Sequence, residues 1–296
     1  MTFDLQVGDV TLPMPNTARR QVKNTGDYDV MIRTNEAGLR DSSLAGASER
    51  DLYAVGDSFT FGWGVSEEDR YSNVLASLRH QRVRNLASPA DITGYGALLA
   101  YAIRHGARPH RIVIGLCMEN DLRDYALPRP SPAVSDRLTE IKRWLLDNSA
   151  TYAVISAASH GVPIVVWLGR RMGVVTDVLD DISPREFDAR IIRSSIAELR
   201  RVTGSFDATI LIIPSRALWL GSAAGRADAR RIHDAVVSGL LTAGFRVADP
   251  RQPFEASGHP LGFHFPTDGH WNRAGHAVAA RLLARAVDAA APSLTQ

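Results

Sequence analysis

A serine near the start of this chain and an aspartate–histidine pair near its end have the residue types that acyl transfer needs. Ser58 follows the apolar run 52–55 and a Gly-Asp step. It should therefore stand where a strand ends at the carboxyl edge of a sheet, the edge at which open α/β folds bind ligands. A serine hydroxyl becomes a nucleophile when a base takes its proton. His270 is the candidate base because an imidazole titrates near neutral pH, and Asp268 is the candidate acceptor for its other ring N–H.

Two further blocks lie between the serine and the histidine. A Gly-Tyr-Gly block occupies 94–96, and an Asn-Asp step at 120–121 follows an apolar run of strand length. Taken singly, such residues are ordinary in turns and helix caps. In this order, the blocks resemble those of the SGNH, or GDSL-type, hydrolases, a family named for its Ser, Gly, Asn and His blocks. The resemblance covers residues 29–285 and includes the Asn-Glu-Ala-Gly-Leu-Arg stretch at 35–40.

The resemblance implies a catalytic triad and an oxyanion hole. Ser58 would be the nucleophile, His270 the base and Asp268 its partner. The backbone N–H groups of Ser58 and Gly94 and the side-chain amide of Asn120 would be the oxyanion donors. Gly96 is the alternative to Gly94, since either glycine would let the main chain approach a ligand closely. No metal and no organic cofactor is implied.

The histidine block departs from the more familiar Asp-x-x-His spacing of the family, because one residue separates Asp268 from His270. An Asp-x-His block followed by Trp is similar to that of SGNH-like carbohydrate O-acetyltransferases. Residues 270–276 keep the His-x-Asn-x-x-Gly-His form, which selects His270 over His276 and His264.

Two of the five tryptophans flank the predicted triad. Trp63 and Trp271 are therefore candidate substrate-shaping residues, whereas the others are expected to be packing residues. Arg216 and the pair at 170–171 follow apolar runs, and they are either anion-binding residues or ordinary solvated arginines.

Apolar runs of strand length alternate with helical stretches, as in a parallel sheet covered on both faces. The pattern predicts an α/β fold, a three-layer α/β/α sandwich with a flavodoxin-like, parallel five-stranded sheet, which is the SGNH hydrolase fold. The predicted strands are Asp51–Val55, Arg82–Leu86, Arg111–Leu116, Ala208–Ile213 and Phe245–Asp249. The predicted helices are Glu67–His80, Leu98–His105, Arg226–Ala243 and Arg273–Val287.

A chain of 296 residues with 45% hydrophobic content is long enough for one large α/β domain, and we predict a single domain over 1–296. Residues 1–48 would form an N-terminal segment that leads into the domain. Residues 122–207 exceed the length of one crossover, so they form either a helical cap beside the site or an extended connection packed on the sheet.

Charge and composition argue against other classes of protein. The net charge of +2 comes from 34 basic and 32 acidic residues, a balance that argues against a nucleic-acid surface. The single cysteine, Cys117, lies in an apolar run and is expected to be a buried, unreactive thiol, and no Cys/His cluster has zinc spacing. Neither a leader nor a membrane span is evident, so we expect a cytoplasmic protein without a membrane partner.

The leading hypothesis is a serine esterase or deacylase that hydrolyses an O-acyl ester through an acyl-serine intermediate. The family resemblance implies that this is an O-acetyl ester of a carbohydrate or small metabolite. The first alternative is an O-acyltransferase with the same triad, in which a sugar hydroxyl replaces water. The second is a non-catalytic carbohydrate-binding protein on the same fold. The sequence does not indicate an oligomeric state.

Overall fold

Two antiparallel hairpins precede a parallel sheet in the computed structural model, which describes residues 3–8, 10–127 and 187–289. The strands are β1 (Phe3–Val7), β2 (Val10–Pro13), β3 (Ala18–Val22), β4 (Asp29–Arg33), β5 (Leu52–Gly56), β6 (Val83–Asn85), β7 (Arg111–Cys117), β8 (Asp207–Ile213) and β9 (Arg246–Ala248). The helices are α1 (Ser58–Phe61), α2 (Tyr71–Arg79), α3 (Ile92–Arg104), α4 (Ala189–Thr203), α5 (Ala223–Thr242), α6 (Arg251–Ala256) and α7 (Arg273–Ala286). Short 3-10 turns cover Arg216–Leu218 and Pro260–Phe263.

The central sheet has the strand order β6-β5-β7-β8-β9, and all of its neighbouring strands are parallel. Numbered along the chain, this is the flavodoxin-like order 2-1-3-4-5. The predicted fold class is confirmed. The order reverses between β5 and β7, so this is the point at which such sheets bind ligands outside their carboxyl ends.

The sheet is covered on both faces, because successive strand residues point to opposite sides. On one face, Tyr53 and Val55 of β5 join a buried cluster that includes residues of α3, α4 and α5. On the other face, Leu52 and Ala54 pack with residues of α2, α6 and α7. Both faces of β5 are therefore buried, and its carboxyl end is the part of the strand where a reactive side chain could meet a substrate.

All five predicted strands of this sheet are present, and no strand end is shifted by more than one residue. The largest difference concerns α3, which begins at Ile92 and not at Leu98. Its start is set by Asp91, whose side chain accepts the Gly94 N–H as an N-cap. The helix α4 was not predicted.

The N-terminal segment forms the two hairpins and packs against the α/β core. Val10 and Leu12 of β2 are buried in the cluster that contains α3. In the second hairpin, Ile32 of β4 packs against Phe61, which follows the serine block. The second hairpin thus lies beside the carboxyl end of β5.

Residues 128–186 lie outside the described residues, and with them most of the predicted cap or connection at 122–207, Trp144, Trp167 and the arginine pair at 170–171. Within the described part of the chain, no helix has the length and apolarity to cross a membrane.

Candidate active site

Ser58 is the first residue of α1, directly after the end of β5. Asp57 is the N-cap of this short helix, and its side chain accepts the Phe59 N–H at 2.9 Å. A Cβ on Gly56 would lie 2.2 Å from Thr60 Oγ1, so glycine is required where the strand turns into the helix. The Gly-Asp-Ser sequence therefore has a local structural reason, which is to present the Ser58 hydroxyl at the sheet edge.

The structure brings Ser58, His270 and Asp268 together although the serine and the histidine are 212 residues apart. Ser58 Oγ lies 2.8 Å from His270 Nε2, and His270 Nδ1 lies 2.5 Å from Asp268 Oδ1. With Asp268 accepting the Nδ1 proton, Nε2 is left to accept the proton of Ser58. The arrangement is that of a nucleophile, a base and a group that orients the base.

The one-residue spacing between Asp268 and His270 is sufficient because both meet within a single turn. Asp268 Oδ1 accepts the backbone N–H of His270 at 3.1 Å as well as its ring nitrogen. The turn is closed by Phe265, whose N–H donates to His270 O at 3.0 Å, and α7 then starts at its N-cap Asn272. The departure from Asp-x-x-His does not separate the two side chains.

The carboxylate of Asp268 is 7% exposed and has partners on both oxygens. Its Oδ2 lies 3.2 Å from Lys23 Nζ and 3.1 Å from the hydroxyl of Tyr28. Burial alone would raise the pKa of Asp268, but the hydrogen bonds and charge of His270 and the charge of Lys23 hold it well below its ordinary value. Asp268 is therefore a carboxylate at neutral pH. Sequence reasoning missed Lys23 and Tyr28, which are separated from Asp268 by 245 and 240 residues.

Two aromatic side chains hold the His270 ring. Trp63 stacks on it with ring centroids 5.7 Å apart and an interplanar angle of 27°, and Phe59 contacts it at 4.9 Å. Trp63 is half-buried beside the candidate base His270, where a substrate-shaping residue would be. Trp271 is fully buried against Phe59 and Phe254, so the prediction that it shapes the substrate site is wrong.

The structure locates two of the three predicted oxyanion donors at the carboxyl edge of the sheet. Ser58 opens α1, whose first N–H groups have no partner within the helix. Asn120 follows β7, the neighbour of β5, and is exposed. The prediction for Gly94 is wrong, because it lies buried in the first turn of α3 and its N–H donates to Asp91. Gly96 is no substitute, since a Cβ there would lie 3.3 Å from Val202 of α4, which makes it a helix-packing residue.

Two buried carboxyl groups, Asp57 and Asp121, lie in the loops that carry Ser58 and Asn120. Burial raises the pKa of both, and the charge of Asp57 raises that of Asp121 further. Asp121 accepts the hydroxyl of Tyr95 at 2.8 Å and the backbone N–H of Cys117 at 2.7 Å. These groups fix the loops after β5 and β7. Cys117 is buried as predicted, and burial raises the pKa of its thiol.

Arg216 is committed to an ion pair beside the histidine turn. Its backbone N–H, Nε and Nη2 donate to the carboxylate of Glu119 at 2.7–3.1 Å. A Cβ on Gly269 would lie 2.3 Å from Arg216 Nη1, so the guanidinium packs directly against the residue between Asp268 and His270. Arg216 is thus a buried arginine paired with Glu119, which contradicts the prediction of an ordinary solvated arginine.

The two other candidate bases are buried and neutral. Burial lowers the pKa of His264 to about 4 and that of His276 to about 3. His276 Nδ1 accepts the backbone N–H of Tyr71 at 3.3 Å, which gives it a structural partner in the core. Neither ring is hydrogen-bonded to Ser58, whereas His270 is. Within the described residues, no group of three or more His, Cys, Asp or Glu side chains is arranged to hold a metal ion.

Comparison with known proteins gives fold-level similarity to several solved structures. No protein-family model and no curated protein matches the sequence. A member of the lipolytic protein G-D-S-L family from Veillonella parvula is 11% identical, with 79% of this chain and 96% of that chain covered and a TM-score of 0.43. The lipase/acylhydrolase from Enterococcus faecalis is 12% identical, with 80% and 94% covered and a TM-score of 0.44. A variant of an acetyl-xylooligosaccharide esterase from Geobacillus Stearmophilus is 12% identical, with 82% and 96% covered and a TM-score of 0.44.

At these identities and scores, what this chain does has to be decided from its own residues. The serine, asparagine and histidine blocks of its sequence come together at the carboxyl edge of a parallel sheet. The serine follows the first strand of that sheet, at the point where the strand order reverses. The fold and the geometry of the site therefore agree with the arrangement that the sequence blocks predict.

Proposed function

We propose that this protein is a serine hydrolase that cleaves an O-acyl ester through an acyl-serine intermediate. One observation carries the proposal, the unbroken path of hydrogen bonds from Ser58 Oγ through both nitrogens of His270 to Asp268. A serine hydroxyl on a surface loop has no such path for its proton. This path, buried on its Asp268 side and half-exposed at Ser58, is what a nucleophilic serine requires.

In the first half of the proposed reaction, Ser58 Oγ attacks the ester carbonyl carbon while His270 Nε2 takes the hydroxyl proton. Asp268 stabilises the imidazolium that forms. The Ser58 N–H and the Asn120 amide donate to the carbonyl oxygen as it becomes an oxyanion. His270 then gives its proton to the leaving alcohol oxygen, the ester C–O bond breaks, and the acyl group stays on Ser58.

In the second half, a water molecule attacks the acyl-serine carbonyl, and His270 accepts a proton from that water. Collapse of the second oxyanion breaks the bond to Ser58 Oγ, which recovers its proton from His270. The products are one carboxylic acid and one alcohol. This scheme needs only groups in the chain and water.

We propose an O-acetyl ester of a carbohydrate or small metabolite as the substrate. Its support is the resemblance of the Asp268–His270 block to carbohydrate O-acetyltransferases and the position of Trp63, whose ring face suits a sugar ring. If a sugar hydroxyl replaced water in the second half, the same residues would serve an acyltransferase. Product analysis with and without an added sugar acceptor separates the two outcomes.

The direct test is hydrolysis of p-nitrophenyl acetate by the wild type and by the Ser58→Ala and His270→Ala variants. We expect both variants to lose at least about 10³-fold in kcat. Matched controls are Ser77→Ala, an exposed serine on α2, and His110→Ala, an exposed histidine at the amino end of β7. Both controls should keep wild-type rates.

A fluorophosphonate probe tests the nucleophile without knowledge of the substrate. Labelling of the wild type at Ser58, and none of Ser58→Ala, supports a serine hydrolase even if p-nitrophenyl acetate is a poor substrate. A wild type that neither hydrolyses esters nor labels would contradict the proposal and favour a non-catalytic binding protein.

A further inference from the structure

We propose that the β3–β4 hairpin is part of the active site, with Lys23 and Tyr28 as positioning residues that hold Asp268 against His270. The inference rests on the proposed function and deepens it. It assigns a role to a segment that lies outside the α/β core and before the serine block in sequence.

The hairpin geometry directs both side chains to the same side. Val22 and Asp29 are the last paired residues of β3 and β4, and Lys23 and Tyr28 are the next opposed pair. The Lys23 N–H donates to Tyr28 O at 3.0 Å, which continues the antiparallel pairing by one step. Opposed residues of an antiparallel pair lie on the same face. Both side chains reach Asp268 Oδ2, at 3.2 Å from Lys23 and 3.1 Å from Tyr28.

The turn of the hairpin is joined to the loop that precedes Asp268. The Thr267 N–H donates to Asp27 Oδ2 at 3.1 Å, and the hydroxyls of Thr25 and Thr267 are 2.5 Å apart. On the other side, the Gly64 N–H donates to Gln21 Oε1 at 3.0 Å. The hairpin therefore bridges the loop after the serine and the loop that carries the histidine.

Tyr28 also connects Asp268 to the ring that stacks on the base. Trp63 Nε1 donates to the Tyr28 hydroxyl at 2.8 Å, and that hydroxyl donates to Asp268. Burial and the charge of Asp268 raise the pKa of Tyr28, so it keeps the proton that it donates. These four side chains form a closed cycle of contacts. Asp268 is hydrogen-bonded to His270, Trp63 stacks on His270, and Tyr28 is hydrogen-bonded to both Trp63 and Asp268.

The short Asp268–His270 spacing explains why such support is needed. Asp268 Oδ1 is fully occupied by the two nitrogens of His270, so Oδ2 must find its donors elsewhere. If Oδ2 had no donor, the buried carboxylate would be strongly unfavourable, and the carboxyl group would rotate or take up a proton. Either change would release the His270 ring. The ammonium of Lys23 and the hydroxyl of Tyr28 prevent both.

The test compares Tyr28→Phe, Lys23→Met and the double variant with the wild type, all as full-length protein. For the double variant we expect kcat for p-nitrophenyl acetate and the rate of Ser58 labelling to fall roughly 10- to 100-fold. KM should stay within about twofold, because these residues act on the base and not on bound substrate. Lys23→Arg, which keeps a cation, should restore most of the activity lost in Lys23→Met.

Tyr101→Phe is the matched control for the loss of a buried tyrosine hydroxyl, since Tyr101 donates to Ala37 O at 3.0 Å in the main core. If the variants lose activity only in proportion to a lowered melting temperature, as Tyr101→Phe would, the inference is wrong. It is also wrong if the wild type labels at Ser58 and the double variant labels equally fast. A wild type that neither labels nor hydrolyses esters instead contradicts the proposed function itself.

Discussion

Four hydrogen bonds meet on the buried carboxylate of Asp268, two from His270 and one each from Lys23 and Tyr28. Asparagine at this position would keep the shape but lose the charge. Its amide group would present a donor where the His270 N–H needs an acceptor, so the ring would adopt the wrong tautomer. We expect Asp268→Asn to lower kcat about 10⁴-fold, by analogy with the triad aspartate of chymotrypsin-type serine proteases, which is the source of that figure.

The measurement is kcat for p-nitrophenyl acetate together with a melting curve. Asp288→Asn is the control, because Asp288 is an exposed carboxylate paired with Arg79 and with Arg111, which begins β7 at the amino end of the sheet, opposite the site. A kcat for Asp268→Asn within tenfold of the wild type, in a folded protein, would contradict the assigned role of the carboxylate.

The two tryptophans that flank the site differ in burial, and this difference gives a second prediction. Trp271 is fully buried and packs edge-on against Phe59 and Phe254. Trp271→Leu should lower the free energy of unfolding by about 2–4 kcal/mol, since it leaves a cavity in the core. Trp63→Leu should lower it less, and should instead reduce kcat by releasing the His270 ring. Urea unfolding of both variants gives the comparison, and equal destabilisation would contradict it.

At the residue scale, the sequence indicated the residues that are marked by their own neighbours in the chain. It did not indicate the residues whose contacts are all distant in sequence. Ser58 is marked by the turn that presents it and His270 by the pattern that follows it, and the structure places the two side chains 2.8 Å apart. Lys23 and Tyr28 carry no such local signal, because their partner is more than 200 residues away. Gly94 was assigned wrongly because Asp91 takes its N–H as a helix cap.

Among the elements, the three central strands β5, β7 and β8 were predictable because each contains a mostly apolar run that is buried on both faces. The edge strands β6 and β9 have three residues each and include polar side chains, so their signal is the alternation of strands and helices along the chain. The β3–β4 hairpin is not of this kind. In Ala18–Val22, Gln21 is the one buried residue, and in Asp29–Arg33 it is Ile32. A pair of strands with so little apolar periodicity has no sequence signal, and it is held by contacts with distant loops.

Gly64 provides a test of how tightly this hairpin is seated. Its φ of +77° strains any other residue, and a Cβ there would lie 2.6 Å from the Tyr28 ring and 2.7 Å from Phe265. We expect Gly64→Ala to lower the free energy of unfolding by about 2–4 kcal/mol, the sum of backbone strain and overpacking. It should also reduce kcat, because the added methyl group displaces Tyr28 from Asp268.

Gly106→Ala is the matched control, since Gly106 has a φ of +98° and open space around the position of a Cβ. This variant should show the strain alone, about 1–2 kcal/mol, at an unchanged kcat. Unfolding free energies and kcat of the two variants are measured side by side. If they match, the hairpin is not closely packed against the serine loop.

In the molecule as a whole, the buried guanidinium of Arg40 connects the N-terminal segment to the site by hydrogen bonds. The Arg40 guanidinium donates to the carbonyl groups of Phe61, the last residue of α1, and of Gly62 and Val65 in the loop that follows. Burial lowers the pKa of Arg40 to about 9. The segment before β5 therefore contacts the site in two places. Arg40 binds carbonyl groups at the end of α1 and in the loop after it, and the β3–β4 hairpin binds the carboxylate of Asp268.

The buried histidines make the stability of the whole fold depend on pH. Burial lowers the pKa of His276 to about 3 and of His264 to about 4, whereas an unfolded histidine titrates near 6.5. Above pH 6.5 both states are neutral and the full stability is present. As the pH falls below 6.5, the unfolded chain takes up protons that the folded protein does not, so stability falls until the folded pKa is reached. The slope is at most about 1.4 kcal/mol per pH unit for each histidine.

The variant His276→Gln tests this dependence, because glutamine does not titrate and can still accept the Tyr71 N–H that His276 accepts. We expect lower stability at pH 7.5 but a shallower loss of stability between pH 6 and pH 4.5, measured by urea unfolding. The raised pKa values of buried Asp57 and Asp121 act in the opposite direction, but they are common to both proteins and cancel in the difference. His110→Gln, at an exposed position, should keep the wild-type slope. Equal slopes for His276→Gln and the wild type would mean that His276 is protonated within the fold, which would contradict its burial as a neutral ring.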